Sequence, residues 1–395
     1  MLPLSLPHAS QRSKPNPAPG ATPGRNCLLS TGELAEEIVQ AWERTQLAVK
    51  GQHKAALRAL HVSAKRHDEG LDLRGLKRDL RLYGNYFPEP SSIDPSLVDP
   101  ELIPVGPHRS LEGRLFRLLR SYWSMPFSKG YGRRLRFLVM DRHHQAVIGL
   151  IGLQSPPADL LCRDRHFGAT KENKLALANT TMDAYTVGAS PTYAPLLGGK
   201  LVAGLIHSEK IRQAYWRAYG SSETLLDGRR LSQPLLAVTT TSAFGRSSIY
   251  NRLKFQEQPL ARSLGFTKGY GTVHLEALYP HIAAWLKDRD MHVPAGFGNG
   301  PKVRWQNVTR ALIQLKIPRT YLSHGIAREV FIFEFASNLE KVHRSDVVPE
   351  MRSFNDGAWA DFWKERWCLK RAASHPEWSA VNVREQMEAA LNQFS

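Results

Sequence analysis

Three cysteines in 395 residues, Cys27, Cys162 and Cys368, stand far apart and form no CxxC pair. Their scarcity excludes a disulfide framework and a paired-cysteine zinc site, and it fits a reducing compartment. No apolar run approaches the roughly 20 residues of a membrane-crossing helix. The opening MLPLSLPHAS lacks the basic-then-apolar layout of a secretory signal. A cytoplasmic protein with no membrane partner is expected. Neither GxxxxGK[ST] nor HExxH occurs, which argues against an ATPase and a zinc protease. Acid is in short supply as well: Asp plus Glu is 36 against 53 for Lys plus Arg, a formal charge of +17. A surplus of that size favours polyanionic partners, most simply nucleic acid, because neutralised phosphates release counterions.

A chain of this length calls for two or three domains. Residues 1–29 are rich in Pro, Ser and basic side chains, cannot bury a core, and read as a disordered tail. Residues 30–86 read as a helical module with Leu34, Ile38, Trp42 and Leu47 as core positions. A Pro-dense linker over 87–107 follows. From 108 to 280 the pattern is mixed: a helix at Leu111–Trp123, a hairpin of Leu135–Met140 and Ala146–Leu153, and a helix near Lys171–Asn179. A strand around Met182–Val187, a helix from Lys200 into Tyr219, a strand at Leu235–Thr239, a helix at Arg246–Phe255 and a last strand at Gly271–Leu275 complete it. Residues 281–395 read as a mainly helical extension, with Leu322–Phe335 open to either assignment. The predicted class is α/β (α+β mixed) on a mixed sheet, with helical flanks.

The densest chemical signal is Thr239-Thr-Thr-Ser-Ala-Phe-Gly-Arg-Ser-Ser-Ile-Tyr-Asn-Arg-Leu-Lys-Phe255, where a buried strand hands over to hydroxyls, glycine and cations. Thr239, Thr240, Thr241, Gly245, Arg246, Ser247, Tyr250 and Arg252 there suit a phosphate, which free amides, hydroxyls and cations would hold together. Lys268, Tyr270 and His274, in Thr267-Lys-Gly-Tyr-Gly-Thr-Val-His, repeat the composition and join the expected site. An ordinary Ser-rich helix cap explains Ser247 or Ser248 alone. Gly198, Gly199 and Lys200 lie after a strand and before a helix, where paired glycines let amides approach a phosphate or let a helix pack tightly on a sheet. Asp183, an acid inside an apolar strand, is the best catalytic or metal-ligating candidate, against a buried ion pair as its structural alternative. Glu223, Asp227 and Glu276 are its possible carboxylate partners, with no recognisable metal spacing. His274 and His324 are candidate bases, and His143-His144 suits a solvated turn. Basic residues among the tryptophans at 359–378 allow base stacking, but the spacing of Trp363 and Trp367 favours a core face.

Two resemblances follow from these motifs. The strand-loop-helix-strand order through Ala189–Lys200 and Ile249–Phe255 is similar to the GNAT N-acetyltransferases, which implies a GNAT-like core. Their Arg/Gln-x-x-Gly-x-Gly/Ala signature is absent. More specific is the ordered set Met182-Asp183, Leu196-Leu-Gly-Gly-Lys-Leu-Val202, Thr239–Leu253, Thr267–His274 and His324-Gly-Ile-Ala-Arg-Glu-Val-Phe331, which resembles the Druantia A (DruA-like) family. That resemblance implies bacterial anti-phage defence, work on phage DNA and helicase-like partner proteins. The leading expectation is DNA binding without a cofactor. A nuclease or strand-transfer enzyme built on Asp183 with magnesium or manganese is the alternative, and an N-acyltransferase comes third.

Overall fold

A computed structural model describes residues 29–66, 71–126, 132–157, 159–223, 234–294, 303–344 and 347–394. Residues 1–28 of the expected tail, Asp227 and the Gly296–Gly300 run lie outside them.

The chain opens with α1 (Thr31–Lys50), and the reason is local. Ser30 accepts from the Glu33 amide while Glu33 accepts from the Ser30 amide, a capping box that satisfies two otherwise orphaned donors. Leu34, Ile38, Ala41, Thr45 and Ala48 recur at helical spacing on its buried face. Leu47, placed in the core by the sequence, is 69% exposed. After α2 (Lys54–Arg66) and α3 (Leu73–Tyr83) come β1 (Pro100–Pro104), α4 (Leu111–Tyr122), β2 (Arg134–Asp141) and β3 (Ala146–Gln154). The chain continues through α5 (Leu161–Phe167), α6 (Lys174–Asn179), β4 (Thr181–Ala189), α7 (Gly198–Gly204), α8 (Glu209–Tyr219) and β5 (Ala237–Thr241). Then follow the small ribbon of β6 (Lys254–Phe255) and β7 (Gln258–Pro259), β8 (Arg262–Phe266), α9 (Tyr279–Lys287), α10 (Val303–Gln314) and β9 (Glu329–Glu334). The last elements are α11 (Leu339–Arg344), α12 (Asp356–Trp363), a π-helical turn at Lys364–Cys368, α13 (Leu369–Ser374) and α14 (Val383–Asn392).

Seven strands form one mixed sheet in the order β1-β2-β3-β4-β5-β9-β8. Every neighbouring pair is antiparallel except β4 and β5, whose parallel link requires the crossover through α7 and α8. Between β3 and β4 the register slips, leaving Tyr185 as an extra residue in β4. One face of the sheet buries Ile148, Ile151, Met182, Val202, Tyr250, Phe331, Trp359 and Trp363 in the largest core cluster. On the other face, Leu138, Val147 and Leu150 pack with α3, α4 and α14, while Ala237 and Ile332 pack with Phe167 and Leu177. Beside the sheet, Leu34 and Ile38 of α1 pack with Ile282, Trp285, Val308 and Leu312 of α9 and α10.

The mixed α/β class and the 135–153 hairpin agree with the sequence. Besides the exposure of Leu47, two expectations of local structure do not. Residues 246–253 form turns rather than a helix, and Val273–Leu275 is a single 3-10 turn rather than a strand. The strand that completes the sheet edge is β8, upstream of that expectation.

Candidate functional site

A single lysine explains why 246–253 does not become a helix. Lys200 Nζ donates to the carbonyls of Ser248 (3.0 Å), Ile249 (3.4 Å) and Asn251 (3.3 Å). Those are carbonyls a helix would offer to its own later amides. Gly245 (φ 48°) and Arg252 (φ 59°) occupy the left-handed region at either end, which interrupts any helix. Ser242 Oγ caps the entry, donating to the Gly245 carbonyl and accepting from the Glu329 amide at 2.9 Å.

The turn forms one wall of a cleft of about 820 Å³ lined by Lys200, Arg246, Ser248, Asn251, Arg252, Phe266, Glu329, Arg366 and Trp367. The opposite wall comes from the far end of the chain. In α12, Trp359 and Trp363 are buried, and their indole N–H groups donate to the carbonyls of Leu201 (2.9 Å) and Leu197 (3.1 Å). This clamps α12 onto α7. The π-helical turn that follows carries Arg366 and Trp367 into the cleft, with Lys200 Nζ 5.4 Å and the Arg366 guanidinium 5.5 Å from the Trp367 ring centre.

The cleft is electrostatically unbalanced. Arg246 and Arg252 form no ion pair or side-chain hydrogen bond among the described residues. Burial, and then repulsion from Arg252 and Arg366, hold the Lys200 ammonium below its usual pKa. The acid lining the cleft, Glu329, is 6% exposed, and its Oε2 has no hydrogen-bond partner among the described residues.

The other expected site residues divide between interior and surface. Thr239 and Thr240 are buried: Thr239 Oγ1 lies 3.2 Å from Asp183 Oδ1, and Thr240 Oγ1 donates to the Ala184 carbonyl at 2.9 Å. Tyr250 is buried against Phe331 (ring centres 5.0 Å apart), and burial pushes its phenol up to about 12. Thr241 and Ser247 are half-buried. Gly198 donates to the Tyr193 carbonyl, Lys200 donates through its amide to the Leu197 carbonyl, and a Cβ on Gly198 would meet the Tyr193 carbonyl oxygen at 2.8 Å. These contacts make Gly198 a close-packing glycine. Thr267 and Arg328 exchange two hydrogen bonds, and Arg328 bridges to Gly245, so the 239–255 and 267–274 motifs meet across the segment before β9. Lys268 and Tyr270 are exposed there, Tyr270 lying 5.4 Å from the Trp305 ring.

Asp183 pairs in register with Thr239 across the parallel strands. Burial lifts its carboxyl to about 6, against the pull of hydrogen bonds from Thr239 and Gln154 and of the Arg328 charge. Of its expected acidic partners, Asp227 lies outside the described residues. Glu276 is engaged by Arg304 (2.5 Å) and Thr272 (3.0 Å), and among the described residues no three His, Cys, Asp or Glu side chains are grouped to hold a metal ion. His274 donates from Nε2 to the Tyr321 carbonyl and His324 accepts from the Ile326 amide; burial pushes them down to about 4 and about 3. His144 is not solvated but sits 2.7 Å from buried Asp141. Six cleft residues escaped sequence reasoning as site residues: Ser248, Asn251, Phe266, Glu329, Arg366 and Trp367. Glu329 stands in the His324–Phe331 motif, but no local pattern marks it as partnerless.

No solved structure matches this chain. The family model described as Druantia protein DruA matches residues 51–345, and a Druantia protein DruA from Escherichia coli (strain UMEA 4076-1) is 33% identical over 352 residues, covering 88% of this chain and 87% of that protein. The chain belongs to the Druantia protein DruA family.

Proposed function

We propose that this DruA family member is a nucleic-acid-binding component of a bacterial anti-phage defence system, and that the basic cleft is where it holds phosphates. One observation carries the reading: Lys200, Arg246, Arg252 and Arg366, from segments distant in sequence, converge on one cleft in which Arg246 and Arg252 lack an anionic partner among the described residues. Crowded cations raise one another's energy, and a phosphate relieves that cost by charge-assisted hydrogen bonds. Lys268, on the neighbouring segment, extends the positive surface. Binding through these groups requires no metal, and helicase-like proteins are the expected companions of such a component. The parallel β4/β5 pair supports a GNAT-like description of the core. Acyl-cofactor binding at 196–200 has little support, since the amides of Gly198 and Lys200 are committed to backbone carbonyls.

The test is the salt dependence of DNA affinity. Neutralising several phosphates predicts a fall of about tenfold or more between low and physiological salt. A flat response, or no binding at low salt, overturns the reading.

A further inference from the structure

Phosphate binding alone leaves two features of the cleft unexplained. Glu329 is a buried carboxylate among cations, with Oε2 partnerless among the described residues. A negative group at that place opposes phosphate binding, and a buried acceptor without a donor is costly. The second feature is Phe266, which is 44% exposed at the end of edge strand β8. The two are one arrangement: Phe266 and Glu329 are directly opposed in the β8/β9 register, and both line the cleft with Trp367 across from the sheet. Directly opposed residues project to the same side of a sheet, about 5 Å apart.

An aromatic surface beside an unpaired acceptor, ringed by cations, matches one kind of ligand. Resting on the reading of the cleft as a phosphate site, we infer that it is a nucleotide pocket that takes one unpaired base. The base stacks on Phe266 or Trp367, the Glu329 carboxylate, whose Oε2 is closed to solvent in this conformation, turns to accept from a ring N–H or amino group, and the attached phosphate meets Arg246 and Arg252. The volume of about 820 Å³ lies within the usual range of small-ligand pockets and is ample for one nucleotide. A base within a duplex has both faces stacked and its pairing-edge donors used. The ligand is therefore an unpaired position in a strand or a free nucleotide, which share this chemistry.

The experiment uses the full chain and a short single-stranded DNA carrying one 2-aminopurine, whose fluorescence falls when it stacks. The expected results are quenching on binding, loss of that quenching in Phe266→Ala, and affinity about tenfold weaker for a strand with the same phosphates but abasic sites. Glu329→Gln decides the role of the acid. If Glu329 accepts from the base, the variant lowers the preference for base-bearing over abasic strands. If both strands instead tighten equally, Glu329 only repels phosphate and the inference is overturned. Equal binding of abasic and base-bearing strands without quenching also overturns it while leaving the phosphate reading intact. Absence of binding by any strand at low salt overturns the phosphate reading itself. Competition by deoxycytidine monophosphate as strong as by the strand would assign the pocket to free nucleotides, and weak competition would assign it to strands.

Discussion

Charge is handled in opposite ways at the α3/α4 seam and in the cleft. At the seam, Asp79 is fully buried and takes Arg114 at 3.0 Å, Arg117 at 2.5 Å and, more loosely, Arg78 at 3.8 Å. Its carboxylate is saturated, and the arginines tie α3 to α4. In the cleft, Arg246 and Arg252 form no ion pair among the described residues, and Glu329 is left without a donor beside them. Satisfied charge locks elements together. Exposed charge without a protein partner is held by water, and it is free to bind a complementary ligand when one arrives.

The largest loss of stability is expected at the seam. Asp79→Ala leaves two partly buried guanidiniums without their anion and should cost about 3 kcal/mol of stability, read from urea unfolding, with DNA affinity of the folded fraction unchanged. A loss below about 0.5 kcal/mol would mean that the seam is no more structural than a surface pair.

The reciprocal change, Arg246→Ala with Arg252→Ala, should leave stability within about 0.5 kcal/mol because neither guanidinium has a partner to lose. Its effect belongs to binding: weaker affinity for all sequences alike, and a salt slope reduced by about 1.5 in log–log terms. An unfolding midpoint that drops with affinity would erase the distinction between the two regions.

Asp183 lies between the two cases, hydrogen-bonded but partly desolvated, and its pH behaviour sharpens the contrast. With a folded pKa raised to about 6, it holds a proton that the unfolded chain has released by then. Its stabilising contribution is whole below the ordinary carboxylate range and is lost as pH rises through about 6. Asp183→Asn should therefore match the parent near pH 4 and exceed its stability by about 1 kcal/mol at pH 8, measured by denaturant titration at both values. An Asn variant less stable at pH 8 would show that the charged form is the one the fold favours.

Much of the fold was legible because local patterns agree with it. Ala146–Leu153 reads as a strand and is one, and the Ser30–Glu33 box marks where α1 starts. The 246–253 segment misled because its apolar spacing is helical, whereas Lys200, some fifty positions upstream, captures the carbonyls that a helix needs. Tertiary contacts override local periodicity there. The site was legible only in part for the same reason. Arg246, Arg252 and Lys200 announce themselves by charge, but Thr239, Thr240 and Tyr250 prove to be interior groups. Phe266 and Glu329 become a pair only through the β8/β9 register. Trp367, inside the π turn, keeps ring contacts with Trp359 and Phe362 and also lines the cleft, a double placement that its spacing from Trp363 does not announce.

That turn acts as a phase shifter. An α-helix repeats its facing at fixed intervals, and one wider turn advances everything after it by one residue's rotation, about 100°. Trp359 and Trp363, before the turn, and Cys368, at its end, are buried, while Arg366 and Trp367, within it, line the cleft. Deleting Glu365 would thus act less as a shortening than as a retuning: the segment would regain ordinary α periodicity, and the aromatic and cationic wall would swing out of alignment while the buried indoles kept their anchorage.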